Sequence, residues 1–350
     1  MTGIDKIMSR SRRNSGSASA VSIVLFLAVF LALSPCLPAA AEYQHLQDES
    51  AMTAQQRELL GQDAAREYMV TIINRDRATV AAPPVVLDLG APTKAGQKHS
   101  DEMAVNGYIS HWTLDGRKPD QRYTEEGGAD AVAENAYASL EGSAAEESGE
   151  PRKLELHSSQ VFHRYELDNI EGDFFNEKPP NDGHRVNIIN PFHTAVGIGL
   201  SFASSFGAGI RTACAQEFVT DHADFGEMPR TLVAGEKFPL TGKLGKGVTI
   251  KSIDLRWEEA AKPMTIAQLN KTSSYGMPDK VVASYFPVPN QPTDMIKVKS
   301  TADGDQFSVE ISTEKDWQPG LYYLCVWADV IAGKEEALIS TRTFTVTAPK

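Results

Sequence analysis

The chain opens on a basic stretch, Lys6, Arg10, Arg12 and Arg13, followed by an apolar run from Ala20 to Leu33. Pro35 and Pro38 interrupt that run, and Ala39-Ala40-Ala41 supplies the small-residue pattern that a signal peptidase accepts. The run is shorter than the roughly 20 residues a spanning helix needs, so residues 1–41 are predicted to be a cleaved secretory leader. An uncleaved N-terminal anchor is the alternative. No other segment is apolar enough to span a membrane, and lipidation through Cys36 is disfavoured because Pro35 precedes it.

Beyond a linker over 42–54, Leu59, Leu60, Ala64, Met69, Ile72 and Ile73 recur at mostly helical steps, which predicts an amphipathic helix over 54–77. Pro83-Pro84 forces an extended connection before Val85-Val86-Leu87, and Pro92 starts a second helix that continues to Gly107. Residues 111–133 read as loop, 141–172 as an acidic insertion, and a short helix is expected through Val161, Phe162 and Tyr165. Thr194–Phe202 and Ile210–Val219 flank a Ser/Gly turn and predict a hairpin. Helices and antiparallel strands together give an α+β first domain over 55–224.

From about residue 230 only strand patterns remain. Phe238–Leu244, Val248–Trp257, Val281–Phe286, Met295–Lys299, Phe307–Ile311, Leu321–Val330 and Ala337–Val346 are separated by turn residues, including Asp303-Gly304. This spacing predicts an all-β sandwich over 225–350. Gly320-Leu321-Tyr322-Tyr323-Leu324-Cys325 resembles an immunoglobulin-like strand, although no partner cysteine exists on an early strand.

Charge divides the chain in the same place. The formal net charge is −12. Residues 225–350 are neutral, whereas 42–224 hold the whole negative excess and all 8 His residues. An acidic chain without a basic cluster excludes unaided binding to nucleic acid. The 3 cysteines are too few for a disulfide-stapled mini-fold. No nucleophile elbow, HExxH helix, P-loop or dinucleotide fingerprint is present.

Four segments carry candidate chemistry: Gly107-Tyr108-Ile109-Ser110-His111, Ala133-Glu134-Asn135-Ala136, Asp173-Phe174-Phe175-Asn176-Glu177, and Gly183-His184-Arg185-Val186-Asn187 leading to Val196-Gly197-Ile198-Gly199. In this order, with Asn74-Arg75-Asp76-Arg77 before them, they resemble the CAP superfamily of cysteine-rich secretory, antigen 5 and pathogenesis-related proteins, also called the SCP family. The resemblance covers about 55–221. It implies an α-β-α sandwich whose cleft gathers His111, Glu134, Glu177 and His184, with Asp173 or Asp182 as alternatives to Glu177.

Two imidazoles and two carboxylates suit a divalent cation, Zn²⁺ first. The other readings of the same set are general acid–base chemistry through Glu134 or Glu177 and a polar network without either. His99, His157, His163 and His193 have blander packing roles, with His193 a candidate cleft residue. Arg122 and Arg185 are expected to be structural ion-pair partners, and Asn135 to brace the loop beside Glu134. Cys214 and Cys325 are either an interdomain bridge or two buried thiols. Asn270-Lys271-Thr272 is a glycosylation sequon. The expected function is an exported binding or interaction protein with an extracytoplasmic protein, lipid or envelope ligand. A metal-dependent, peptidase-like hydrolase is the alternative, and a third reading places specificity in the 141–172 stretch.

Overall fold

The computed structural model describes residues 52–139, 151–205, 209–287, 295–331 and 335–349. The predicted leader 1–41 with Cys36, most of the linker, and the acidic stretch 141–150 lie outside these residues. Where helix was predicted from residue 54, the described chain first forms strand β1 (Leu59–Gly61). Helix α1 (Gln62–Ala78) follows, burying Ala65, Met69, Ile72 and Ile73 along one stripe. Strand β2 (Val86–Leu87) leads to α2 (Ala91–Asn106), which starts on Pro92 and ends where Gly107 turns left-handed (φ 76°). The stretch expected to be loop contains a short helix, α3 (Pro119–Glu125), before β3 (Ala131–Ala138).

Within the predicted 141–172 insertion and just after it, residues 151–175 contribute two strands and a helix to the fold. Strand β4 (Glu155–Leu156) pairs with Ala203 and Ser204 further along the chain, and β5 (Val161–His163) pairs with β1, setting Phe162 opposite Leu60. Helix α4 (Arg164–Phe175) buries Leu167, Ile170 and Phe174. Glu166 caps it by accepting the His163 N–H at 2.8 Å. After α5 (Gly183–Ile189) come the two long hairpin strands, β6 (Ala195–Ser205) and β7 (Gly209–Thr220). The sheet order is β2-β6-β7-β3, with β4 alongside β6.

Alternation along β6 and β7 decides what covers each face. Val196, Ile198, Leu200, Cys214 and Phe218 join α1, α4 and Ile188 in one core. The opposite face meets α2, and there β6 presents Gly197 and Gly199. A Cβ at Gly199 would overlap the Gly96 carbonyl of α2, and one at Gly197 would overlap Pro92. The glycines let the α2 backbone rest directly on the strand.

The second half enters its own sheets at once, through β8 (Ala223–Phe225) and β9 (Thr231–Val233), neither of which was predicted. The seven predicted runs follow as β10 (Lys237–Leu244), β11 (Thr249–Glu258), β12 (Val281–Tyr285), β13 (Lys297–Lys299), β14 (Gln306–Ser312), β15 (Gly320–Ile331) and β16 (Glu335–Thr347), with a single helical turn, α6 (Ile266–Leu269), between β11 and β12. They form two sheets, β13-β14-β10-β8 and β12-β11-β15-β16-β9. Leu240, Val309 and Ile311 of the first share a core with Ile253, Leu324, Val326 and Phe344 of the second.

Cys214 and Cys325 are both free and buried in separate clusters, so of the two readings the structure has the buried thiols. Among the described residues, no helix is long and apolar enough to cross a membrane.

The close approach of α2 to β6 generates a prediction. Gly199→Ala should destabilise the protein by about 1–3 kcal/mol or more, the range for overpacking a rigid contact. A urea midpoint that does not fall would show that α2 can move away from the sheet.

Candidate functional site

His111 sits on the loop that leaves α2. Gly107 closes the helix through its N–H to the Met103 carbonyl (2.8 Å), and a Cβ there would collide with the Arg211 guanidinium. Tyr108 is fully buried and donates to Glu102 (2.8 Å), which fixes the exit direction of the loop. The Arg122 guanidinium of α3 then donates to the His111 carbonyl (2.7 Å) and, through Nη2, pairs with Glu134 on β3. His111 Nδ1 faces the other Glu134 oxygen at 2.9 Å. Burial alone would raise the Glu134 carboxyl, but Arg122 and the two nearby imidazoles, His99 and His111, hold it well below the ordinary carboxylate range.

The second pair lies across the cleft. Glu177, in the loop after α4, accepts the His184 N–H (2.9 Å) with one oxygen and meets His184 Nδ1 (2.6 Å) with the other. Asp173 is exposed on α4, and neither it nor Asp182 lines the pocket that Glu177 lines. Burial outweighs Glu177 and leaves the His184 pKa below its usual value, which favours the neutral ring. The two imidazole centroids lie 6.0 Å apart. His111, Glu134, Glu177 and His184 all line one pocket of about 600 Å³, together with Asn181, Asn187 and Tyr275.

Among the described residues, no group of three or more His, Cys, Asp or Glu side chains is placed to hold a metal. Each carboxylate sits behind an imidazole on its Nδ1, and Glu134 is also engaged by Arg122. Within this set of four side chains, the Nε2 atoms of His111 and His184 are the ones that meet no hydrogen-bonding partner among the described residues. Donation from Nδ1–H to a carboxylate fixes the tautomer in which Nε2 carries the lone pair, as behind many metal-bound imidazoles.

The remaining polar predictions resolve differently. His99 is fully buried and faces the Ser110 carbonyl through Nε2 (2.7 Å), 3.9 Å from Glu134, with its pKa lowered to about 3 by burial. His193 lines a separate pocket with Thr220 and Phe192, outside the His111–His184 cleft. His157 and His163 also lie outside the cleft. Arg185 donates to the Phe175 carbonyl and stacks on its ring. Asn135 is a strand residue rather than a loop brace.

Asn135 belongs to a chain of amides running from the cleft into the core. Asn187 donates to Asn135 (2.9 Å), Asn135 to Gln216 (3.0 Å), and Gln216 to Glu171 of α4 (2.6 Å).

Glu217 escaped sequence reasoning, although Gln216-Glu217 inside an apolar strand was a visible signal. It pairs in register with Glu134, and neither of its oxygens receives a hydrogen bond from a donor. Burial, then the Glu134 charge, pushes its carboxyl well above the usual range. Ser273, Ser274 and Tyr275, from the sandwich half, also line the pocket, and no sequence signal pointed to them.

No family model matches the chain, and the comparison with curated proteins found no match. Among solved structures, an extracellular SCP-domain protein from Bacillus anthracis aligns over 45% of this chain and 41% of its own, with 18% identity and a TM-score of 0.32. Neutral ceramidase from Pseudomonas aeruginosa aligns over 55% of this chain and 29% of its own, with 14% identity and a TM-score of 0.21. The chain thus spans about two fifths of the first protein and under a third of the second. Likenesses this slight carry no argument.

Two predictions follow from the buried charges. Arg122→Met strands the Glu134 carboxylate and should cost about 3–5 kcal/mol in urea unfolding, whereas a loss below 1 kcal/mol would show that the pair holds little together. Glu171, its carboxyl pushed up to about 8 by burial, keeps its proton in the fold while the unfolded chain ionises near 4.5. Wild-type stability therefore falls as pH rises between these values. Glu171→Gln should show a Tm advantage that grows over this window and levels off above it. A pH-independent difference would refute the buried proton.

Proposed function

We propose that the protein is an exported CAP-type binding protein, whose cleft takes a polar ligand through the paired Nε2 atoms of His111 and His184. One observation carries the reading. Two His–Glu pairs converge on one pocket with each Nδ1 engaged by a carboxylate, so both open imidazole nitrogens are acceptors. The ordered motifs from Asn74 to Gly199 and the leader-like residues 1–41 agree with it.

The donor set favours a divalent cation, Zn²⁺ first, with His111 and His184 as its protein ligands and Glu134 and Glu177 orienting the rings from behind. Such a cation would bridge the protein to a ligand carrying its own donors. The Asn181, Asn187, Ser273 and Ser274 side chains around the pocket suit a hydrogen-bonding ligand rather than a lipid tail.

Hydrolysis has weaker support. A base must take a proton, and Glu134 is held as a carboxylate by Arg122, while both Glu177 oxygens are engaged by His184. The neutral sandwich would present the cleft at the envelope or to an extracytoplasmic protein.

Calorimetry of the mature chain with ZnCl₂ tests the cation. One site is expected, lost in His111→Ala and in His184→Ala. Equal affinity in wild type and both variants would place the cation elsewhere, and no binding by wild type would leave only the polar network.

A further inference from the structure

Strands β11 and β12 are antiparallel neighbours, which a connection of about 2–5 residues can join. The chain instead spends residues 259–280 between them, and these residues reach the loop that carries His111. The Met264 N–H donates to the Leu114 carbonyl (2.8 Å), and Asn270 Oδ1 accepts the Ile109 N–H (3.0 Å). The hydroxyls of Thr272 and Ser110 lie 2.7 Å apart. Leu269 is fully buried with Met103, Ala104 and Tyr108 at the end of α2. Gly116, at φ 83°, lies so close to the Lys262 backbone that a Cβ would overlap it. Asn270 and Thr272 of the predicted glycosylation sequon therefore serve as clamps.

Tyr275 ends this docked segment. Strand β3 is the edge of its sheet, so the Glu134 N–H points away from β7 and needs a partner. Tyr275 Oη accepts it at 2.8 Å. The phenol ring lies 4.6 Å from the His111 ring at 54°, with Trp112 edge-on behind it. A single bond from Nδ1 to Glu134 leaves an imidazole free to swing about that contact, and a ring packed against its face removes the swing. We infer that Tyr275 is a positioning residue of the His111–Glu134 pair, and that the β11–β12 connection of the sandwich half completes the cleft wall. The inference stands whether or not the cleft takes a cation.

Carbethoxylation by diethyl pyrocarbonate, mapped peptide by peptide on the full mature chain, reads imidazole access directly. The His111 side chain is 12% exposed and that of His184 is 27% exposed. In Tyr275→Ala, His111 should react severalfold faster, with His184 unchanged and the buried His99 and His193 still protected. Tyr275→Phe retains the ring and should keep His111 at the wild-type rate.

An unchanged His111 rate in folded Tyr275→Ala overturns the inference. Faster reaction at His99 and His193 as well would report a loosened fold and also overturn it. If Tyr275→Ala does not fold, Asn270→Ala combined with Thr272→Val releases the same segment and is read by the same criteria. Zinc calorimetry on the same proteins should show binding about 10- to 100-fold weaker in Tyr275→Ala, as for other residues that orient a ligand. A wild type that ignores Zn²⁺ removes the cation reading and leaves the labelling result to decide the inference.

Discussion

A guanidinium taken out of water must be surrounded by acceptors, and Arg122 organises the cleft for that reason. From α3 it donates to the carbonyls of His111 and Arg117, pairs with Glu134, and lies 3.7 Å from Glu217. One side chain thereby ties together the loop after α2, helix α3 and two strands of the sheet. Its charge holds the Glu134 carboxyl well below its usual range, while burial and the Glu134 charge push Glu217 well above its own. The placement of His111 follows from that pairing, since Glu134 turns its other oxygen to the His111 ring.

The sheet adds a second constraint. Neighbouring residues on a strand face opposite ways, so Glu134 serves the α2 side and Asn135 the α4 side. Glycine at 197 and 199 lets α2 settle onto β6, which brings His99 to within 3.9 Å of Glu134. On the other face, the amides of Asn135 and Gln216 carry polar contact as far as Glu171. The cleft is braced from both sides of one strand.

The neutral, His-free half is not a separate appendage. Its β16 hydrogen-bonds to residues around α3 and β3, with Ser340 donating to the Ala129 carbonyl and the Thr343 N–H to Thr124. Its β11–β12 connection clamps the His111 loop. A site that reads as the property of one half is built by both.

Local chemistry made much of this legible. Helical spacing located α1 and α2, Gly107 marked the end of α2, turn residues separated the seven sandwich strands, and ordered His and Glu motifs named the four cleft residues. What escaped was decided by contacts distant in sequence. Leu59–Gly61 is a strand because Phe162 lies opposite Leu60, and residues 155–175 belong to the fold because α4 fills the core beneath β6 and β7. That Glu134 and Glu177 stand behind the imidazoles depends on Arg122 and on the turn into α5. Tyr275 reaches Glu134 only because the two halves pack together. Periodicity and turn chemistry act over a few residues, so the sequence by itself determined the elements and the candidate residues. Which groups meet, and which atoms remain open, is set by desolvation and packing, and only the tertiary structure decided that.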